Sequence, residues 1–297
     1  MTETLLKKIP FYMPPNMKES YQHKFSIVTP SFNQDKYIEA TIKSVLSQNY
    51  PNLEYIIVDG GSTDKSVEII QKYEPYLSWW VSEKDRGQAE AINKGLKKAS
   101  GDIVAWINSD DCYIPGAFRF VAQFFVDNPQ IDMVYGDAEI IDGAGSFIMH
   151  RKELPFDITM ARLISFGILI PQPAVFWRRK IFESVGYLNE NLHYALDSDY
   201  WSRIAEKHEI RHIPINLAQA RYHADSKTMR SKKGLMPLAK IEICRELSSQ
   251  YTKLPISKII PPSLSPVIRS IFRLKRVFQR FISGHYFKGY FHHHLSI

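Results

Sequence analysis

Apolar positions along this chain recur with two different periods. Phe25 to Thr29, Leu53 to Val58, Leu77 to Val81 and Ile103 to Ile107 are short, nearly unbroken apolar runs, the pattern of strands buried on both faces. Between them, Ile38, Ile42, Val45 and Leu46 fall at helical spacing, as do Val67, Ile69 and Ile70, and a further helix is predicted over Ala89–Ala99. Pro115 opens another, with Phe118, Val121, Phe124 and Phe125 on its apolar face, and Asn128-Pro129 stops it. Strands alternating with helices over roughly the first 130 residues predict an α/β fold: a mainly parallel, doubly wound sheet with helices on both faces. Right-handed crossovers then set all the strand-to-helix loops along one edge.

Beyond Met133–Tyr135 the pattern changes. Gly143-Ala144-Gly145 reads as a hairpin turn between Ala138–Ile141 and Phe147–Arg151. A helix is expected over 156–166 and a strand over Pro173 to Trp177. An amphipathic helix follows from Asp197 to Lys207, with Tyr200, Trp201, Ile204 and Ala205 inward, then a strand from Glu209 to Ile213. Residues 1–23, with Pro10, Pro14 and Pro15, read as an irregular lead-in, residues 24–230 as the main domain, and 231–297 as a helical appendage in which a proline-rich linker at 255–266 precedes an amphipathic helix.

Charge changes that picture most. The net charge is +7, but residues 231–297 carry 12 Lys/Arg against 2 acids, so the rest of the chain is slightly acidic. Within the tail, Val267, Ile271, Leu274, Phe278 and Phe281 lie on one helical face and Arg269, Arg273, Arg276 and Arg280 on the other. Such a basic amphipathic helix suits an anionic membrane surface, and docking on the main domain gives the same pattern. Tyr286, Phe287, Tyr290 and Phe291 favour the membrane. At 297 residues the chain fits one large α/β domain plus an appendage. Cys112 and Cys244 form no disulfide framework and no metal-ligand spacing, which suits a reducing cytoplasm. The sequence has no signal-peptide pattern and no apolar run of membrane-spanning length, so a cytoplasmic protein, peripheral at the inner face of the membrane, is expected.

Three loops leave buried strands on the same edge: Thr29–Asn33, Asp59–Asp64 and Asn108–Asp111. Open α/β sheets bind ligands at that edge. Asp110 and Asp111 repel each other, and a hard divalent cation relieves that repulsion; turn and helix-cap chemistry accounts for the same residues without a ligand. There is no Walker loop and no G-x-G-x-x-G after a strand, so phosphate would fall to metal and Arg.

TPSFN at 29–33, VDGGSTD, EKDRGQAEAINKG, WINSDD, QPAVFWRR, LDSDYWSRI and RYHADSKT together resemble the successive motifs of family 2 glycosyltransferases. The resemblance covers roughly residues 24–230 and lies in the order and spacing of many motifs. It implies a GT-A fold and an inverting, metal-dependent transfer from a nucleotide-sugar to a glycan or lipid-linked acceptor in cell-surface glycan synthesis. It implies that Thr29, Pro30, Ser31, Phe32 and Asn33, with Asp59 and Ser62, hold the nucleoside, and an Asp accepting from a base N–H favours a UDP- or dTDP-sugar. Arg86 and Gln88 would approach ribose and diphosphate, although a loop Arg is more often solvated. The family's D-x-D motif falls on Asn108-Ser109-Asp110, with Asn in the first position. Asp110 then becomes the chief ligand of Mn²⁺ or Mg²⁺, with Asp111 and His223 as further ligands, and imidazole favours Mn²⁺ slightly. By itself His223 would be read as structural.

By the same resemblance Asp197 is the base that takes the acceptor proton. The Glu usual before it is Leu196 here, and Asp197 or Asp199 would alternatively cap the helix. Gln172 and Trp177 fall where an acceptor pocket is implied, or in the core. A nucleotidyltransferase of similar architecture is the rival enzyme, and Ser31-Phe32-Asn33-Gln34 lacks the glycine-rich basic loop it would want. A nucleic-acid-binding protein using the basic tail is the non-enzymatic rival; the acidic main domain carries no such motif, and no nucleic-acid partner is expected.

Overall fold

The computed structural model describes residues 23–153, 155, 170–227 and 274. Its first half alternates β1 (Phe25–Ser31), α1 (Ile38–Leu46), β2 (Leu53–Asp59), α2 (Ser66–Tyr73), β3 (Trp79–Ser82), α3 (Gln88–Lys98) and β4 (Ile103–Trp106). Then come β5 (Cys112–Tyr113), α4 (Ala117–Asp127), β6 (Met133–Asp142), β7 (Phe147–Arg151), β8 (Val175–Arg178), α5 (Ile181–Val185), α6 (Leu196–Ala205) and β9 (Ile210–Tyr222). All the strands join one sheet in the order β3-β2-β1-β4-β8-β6-β9-β5, with β7 paired to β6. The expected helix at 156–166, the proline-rich stretch and nearly all of the basic tail lie outside the described residues. Of the tail, Leu274 is helical and 68% exposed. Among the described residues no helix is long and apolar enough to cross a membrane.

The sheet is mainly parallel, as expected, with antiparallel strands added in its second half. β3, β2, β1 and β4 pair in parallel, as do β6 and β9, whereas β8 runs antiparallel to both β4 and β6, and β7 and β5 antiparallel to β6 and β9. Apolar periodicity reports burial, not strand direction, so the reversal at β8 left no trace in the pattern. Two prolines explain the main boundary differences. β1 continues through Pro30, which pairs with Val58, because the β4 ladder ends at Val28–Trp106; on that side a missing N–H breaks no bond. β9 runs nine residues past Ile213 because Pro214 sits in a bulge between the His212 and Asn216 pairings with β6.

Trp106, Trp177 and Trp201 pin the second half to the first. The Trp106 and Trp201 rings lie parallel, with centroids 4.9 Å apart, and Trp177 meets them edge-on at 5.5 and 5.6 Å. Each is at most 1% exposed. Truncating any of them to Ala is expected to cost about 3–5 kcal/mol. Trp177 is thus a core residue, and the acceptor contact expected of it does not hold: a fully enclosed ring has no face for a ligand.

Candidate active site

The carboxyl ends of the parallel strands carry loops that bond to one another. Gly60 N donates to the Ser31 carbonyl at 2.8 Å, Asn33 N to Ser62 Oγ at 2.8 Å, and Thr63 N to Asn33 Oδ1 at 2.9 Å. Gln34 N and Asp35 N reach across to Ser66 Oγ and Asp64 Oδ2. These bonds consume several of the groups expected to hold a nucleoside. Asp59 is wholly buried; its Oδ2 accepts from Gly61 N, Ser62 N and Ser82 Oγ, and its Oδ1 from Ser62 Oγ. The side chain of Thr29 is buried against Tyr55 OH at 3.0 Å, and Pro30 is enclosed within β1. The Thr29 and Asp59 side chains therefore present nothing to a base, and Ser62 serves the turn. Ser31 is also buried, whereas Phe32 faces outward at 58% exposure and Asn33 beside it is exposed.

A further carboxylate at this edge is Asp85, which the sequence reading passed over. A Cβ built at Gly60 would lie 2.4 Å from Asp85 Oδ2, so glycine leaves room for that carboxylate. Gly87 N donates to its other oxygen at 2.8 Å. Asp85 is half-buried, and burial pushes its carboxyl pKa up against that hydrogen bond.

The third loop carries a chain of amides. Lys227 Nζ donates to Gln88 Oε1 at 2.6 Å, Gln88 Nε2 to Asn108 Oδ1 at 2.7 Å, and Asn108 Nδ2 to Gln172 Oε1 at 3.0 Å. Gln172 Nε2 ends the chain on the Trp106 carbonyl at 2.8 Å. Gln172, expected in an acceptor pocket, here supports Asn108. Beside this chain His223 Nε2 lies 3.0 Å from Asp110 Oδ2, and His223 Nδ1 is buried with no partner. Ser109, between Asn108 and Asp110 in sequence, is buried.

Asp111 turns the other way. Its Oδ1 accepts from Arg221 N at 2.8 Å, and burial, then the neighbouring Asp110, push its carboxyl pKa well up. Arg221 also donates through Nε to the Asp110 carbonyl at 2.8 Å and lies over the Tyr37 ring, so it holds this turn. Neither Arg221 nor Lys227 was singled out from the sequence, although both lie inside RYHADSKT.

Among the described residues, no group of three or more His, Cys, Asp or Glu comes together as a metal cage. Asp110 and His223 suit a divalent cation that draws its other ligands from bound phosphate. Asp111, committed inward, does not fit as a third ligand. Arg86 is exposed, and its guanidinium pairs with Glu90 Oε2 at 2.8 Å and with Glu190.

Asp197 opens α6. It is half-buried, and burial pushes its pKa up, opposed by Ser198 N donating to Oδ1 at 2.7 Å and by the charge of Arg151. The loop ahead of α6 is tied to this edge, since Lys227 Nζ also donates to the His193 carbonyl at 2.9 Å. Asp199 is buried and paired with Arg203 at 2.8 Å, a structural role.

The chain as a whole has relatives. The chain is 28% identical over 218 residues to an uncharacterized glycosyltransferase of Rickettsia conorii, a match covering 69% of this chain and 35% of that protein. An uncharacterized glycosyltransferase of Haemophilus influenzae is 26% identical over 193 residues, 64% of this chain and 65% of its own. Among solved structures, S. aureus TarS in complex with UDP-GlcNAc superposes with a TM-score of 0.63 at 21% identity, over 89% of this chain and 76% of that one. The mannosyltransferase PcManGT from Pyrobaculum calidifontis, in complex with GDP-Man and Mn²⁺, gives 0.54 at 16% identity, over 95% and 90%. The family model described as "Glycosyl transferase family 2" matches residues 26–186. With the match spanning more than half of the chain and the GT-A architecture shared with solved members of that fold, this protein belongs to glycosyl transferase family 2.

Proposed function

We propose that this glycosyltransferase moves a sugar from a UDP- or dTDP-sugar to a hydroxyl of a glycan or lipid-linked acceptor, with inversion. The observation that carries the reading is the Asp110–His223 pair at 3.0 Å, beside Asn108, at the carboxyl ends of parallel strands. The exposed Phe32 ring offers a stacking face for the base, and Asp85 an acceptor for its imide N–H. Gln88 and Asn108 face ribose and diphosphate, and Asp110 and His223 hold the cation, Mg²⁺ or Mn²⁺. When bound, that cation neutralises charge on the diphosphate. Asp197 accepts the acceptor's hydroxyl proton as that oxygen bonds to the anomeric carbon; the bonding pair of the breaking C1–O bond leaves on the diphosphate. Burial of Asp197 suits it to this task by raising its basicity.

The basic stretch at 231–297 is proposed to hold the enzyme against an anionic membrane surface at the cytoplasmic face. The donor reading is tested by thermal unfolding with a panel of nucleotide-sugars in Mn²⁺. A ligand that binds only the folded chain raises its midpoint, and uridine or thymidine diphosphate sugars are expected to do so most. Stabilisation by a guanosine or adenosine sugar instead would overturn the choice of base.

A further inference from the structure

The amide chain at the donor edge has a fixed direction. Lys227 Nζ can only donate, so it turns Gln88 Oε1 toward itself at 2.6 Å. The Trp106 carbonyl at the far end can only accept, so it turns Gln172 Nε2 toward itself at 2.8 Å. Both ends demand the same orientation of the three amides between them, and the 2.7 and 3.0 Å bonds at Asn108 satisfy it. A carboxylate at 108 would set an oxygen against Gln172 Oε1, or else turn the Gln172 oxygen onto the Trp106 carbonyl. The chain is built for an amide at 108, and one negative charge is thereby absent from the place where a metal-bound diphosphate would lie.

Lys227 is carried to the other end by a closed turn. Ser226 N and Oγ both donate to the His223 carbonyl, at 3.0 and 2.9 Å. The turn begins at the histidine on Asp110 and delivers the ammonium, four residues later, between Gln88 and the His193 carbonyl at 2.9 Å. The exposed Lys227 thus stands where the donor edge meets the loop before Asp197.

Resting on the nucleotide-sugar reading, we infer that Lys227 is a second cationic partner of the donor diphosphate. With Asn108 neutral and Asp111 turned inward, a cation held by the two-ligand pair Asp110–His223 would share the phosphate charge with this ammonium. Lys227 leaves Gln88 Oε1 for a phosphate oxygen, a charge-assisted bond stronger than the neutral one it replaces. That bond strengthens as the C1–O electron pair collects on the diphosphate.

The test compares uridine and UDP binding to the full chain as wild type, Lys227→Met and Lys227→Arg, in Mn²⁺ and in EDTA. Lys227→Met is expected to lose roughly 10–100-fold in UDP affinity, in EDTA as well as in Mn²⁺, with uridine affinity unchanged and Lys227→Arg recovering most of the loss. Equal UDP affinity in Lys227→Met and wild type overturns the proposal. So does an equal loss of uridine and UDP, which would make Lys227 a strap for the loops and not a phosphate ligand. A wild type that binds neither compound overturns the nucleotide reading itself, and the proposal with it.

Discussion

The two halves of the sheet use their polar side chains differently. At the carboxyl ends of β1, β2 and β4, loops satisfy one another: Asp59 closes a turn, Asn33 and Ser62 join two loops, and Asp64 caps both α2 and the chain at Asp35. In the half built on β6, β8 and β9 the acids pair inward with histidines, Asp137 with His212 and Asp132 with His208, each at 2.8 Å. Outward it exposes Phe147 and Ile148 on β7. The difference shows where to look for chemistry. At this densely self-bonded edge Asp85, Asp110 and the Lys227 ammonium are the candidates, whereas an acid such as Asp59 is structural despite standing in the most conspicuous motif.

If this division holds, perturbing the acceptor base should leave the parallel edge untouched. Asp197→Asn is expected to lower turnover about 10²–10⁴-fold while donor affinity stays within about twofold, as measured by transfer rate and nucleotide titration side by side. The pH profile sharpens this. Because burial raises the Asp197 pKa, the base protonates, and turnover falls, at a higher pH than an ordinary aspartate near 3.9 would give. The same raised pKa costs stability above it, so Asp197→Asn should unfold at an equal or higher temperature at pH 7.

The parallel edge is broken next. Asp110→Asn should weaken UDP binding in Mn²⁺ by about 10–100-fold, the loss of a charged contact, and much less in EDTA. Equal binding in Mn²⁺ would remove Asp110 as the cation's ligand. Asn108→Asp tests the amide chain: restoring an acid is expected to weaken donor binding about fivefold, as one buried hydrogen bond turns repulsive. Tighter metal-dependent binding would contradict that account.

The smallest effect lies at the opposite end of the same strands. Glu54, near the start of β2, accepts from Ser100 N at 2.8 Å, from Ser26 Oγ and from Lys24 Nζ at 2.9 Å. Burial alone would raise its pKa, but these donors outweigh it and hold the carboxyl at about 2. Its stabilisation is present above about pH 4.5 and is lost as pH falls toward 2. Glu54→Gln should therefore cost about 1–2 kcal/mol at pH 7 and little at pH 2, with turnover unchanged.

The parallel half was legible because each of its strands is a continuous apolar run ending in a polar turn. The half built on β6 to β9 was less so: Pro214 masked most of β9, and β5, with two residues, has no period at all. Within the site, a motif names residue types but not the direction a side chain takes. Asp59, Thr29, Asp111 and Trp177 all carry suitable chemistry and all turn inward, whereas Asp85 becomes visible only through the space that Gly60 leaves.

The division of labour is tested most directly by hydrogen–deuterium exchange on the full chain with and without a UDP-sugar and Mn²⁺. Ligand binding slows local opening where it makes contact. The expected result is slowed exchange in peptides covering 29–35, 59–66, 84–90 and 108–113, with no change over 133–153. Protection over 133–153 with none at the four loops would contradict a donor site at the carboxyl ends of the parallel strands.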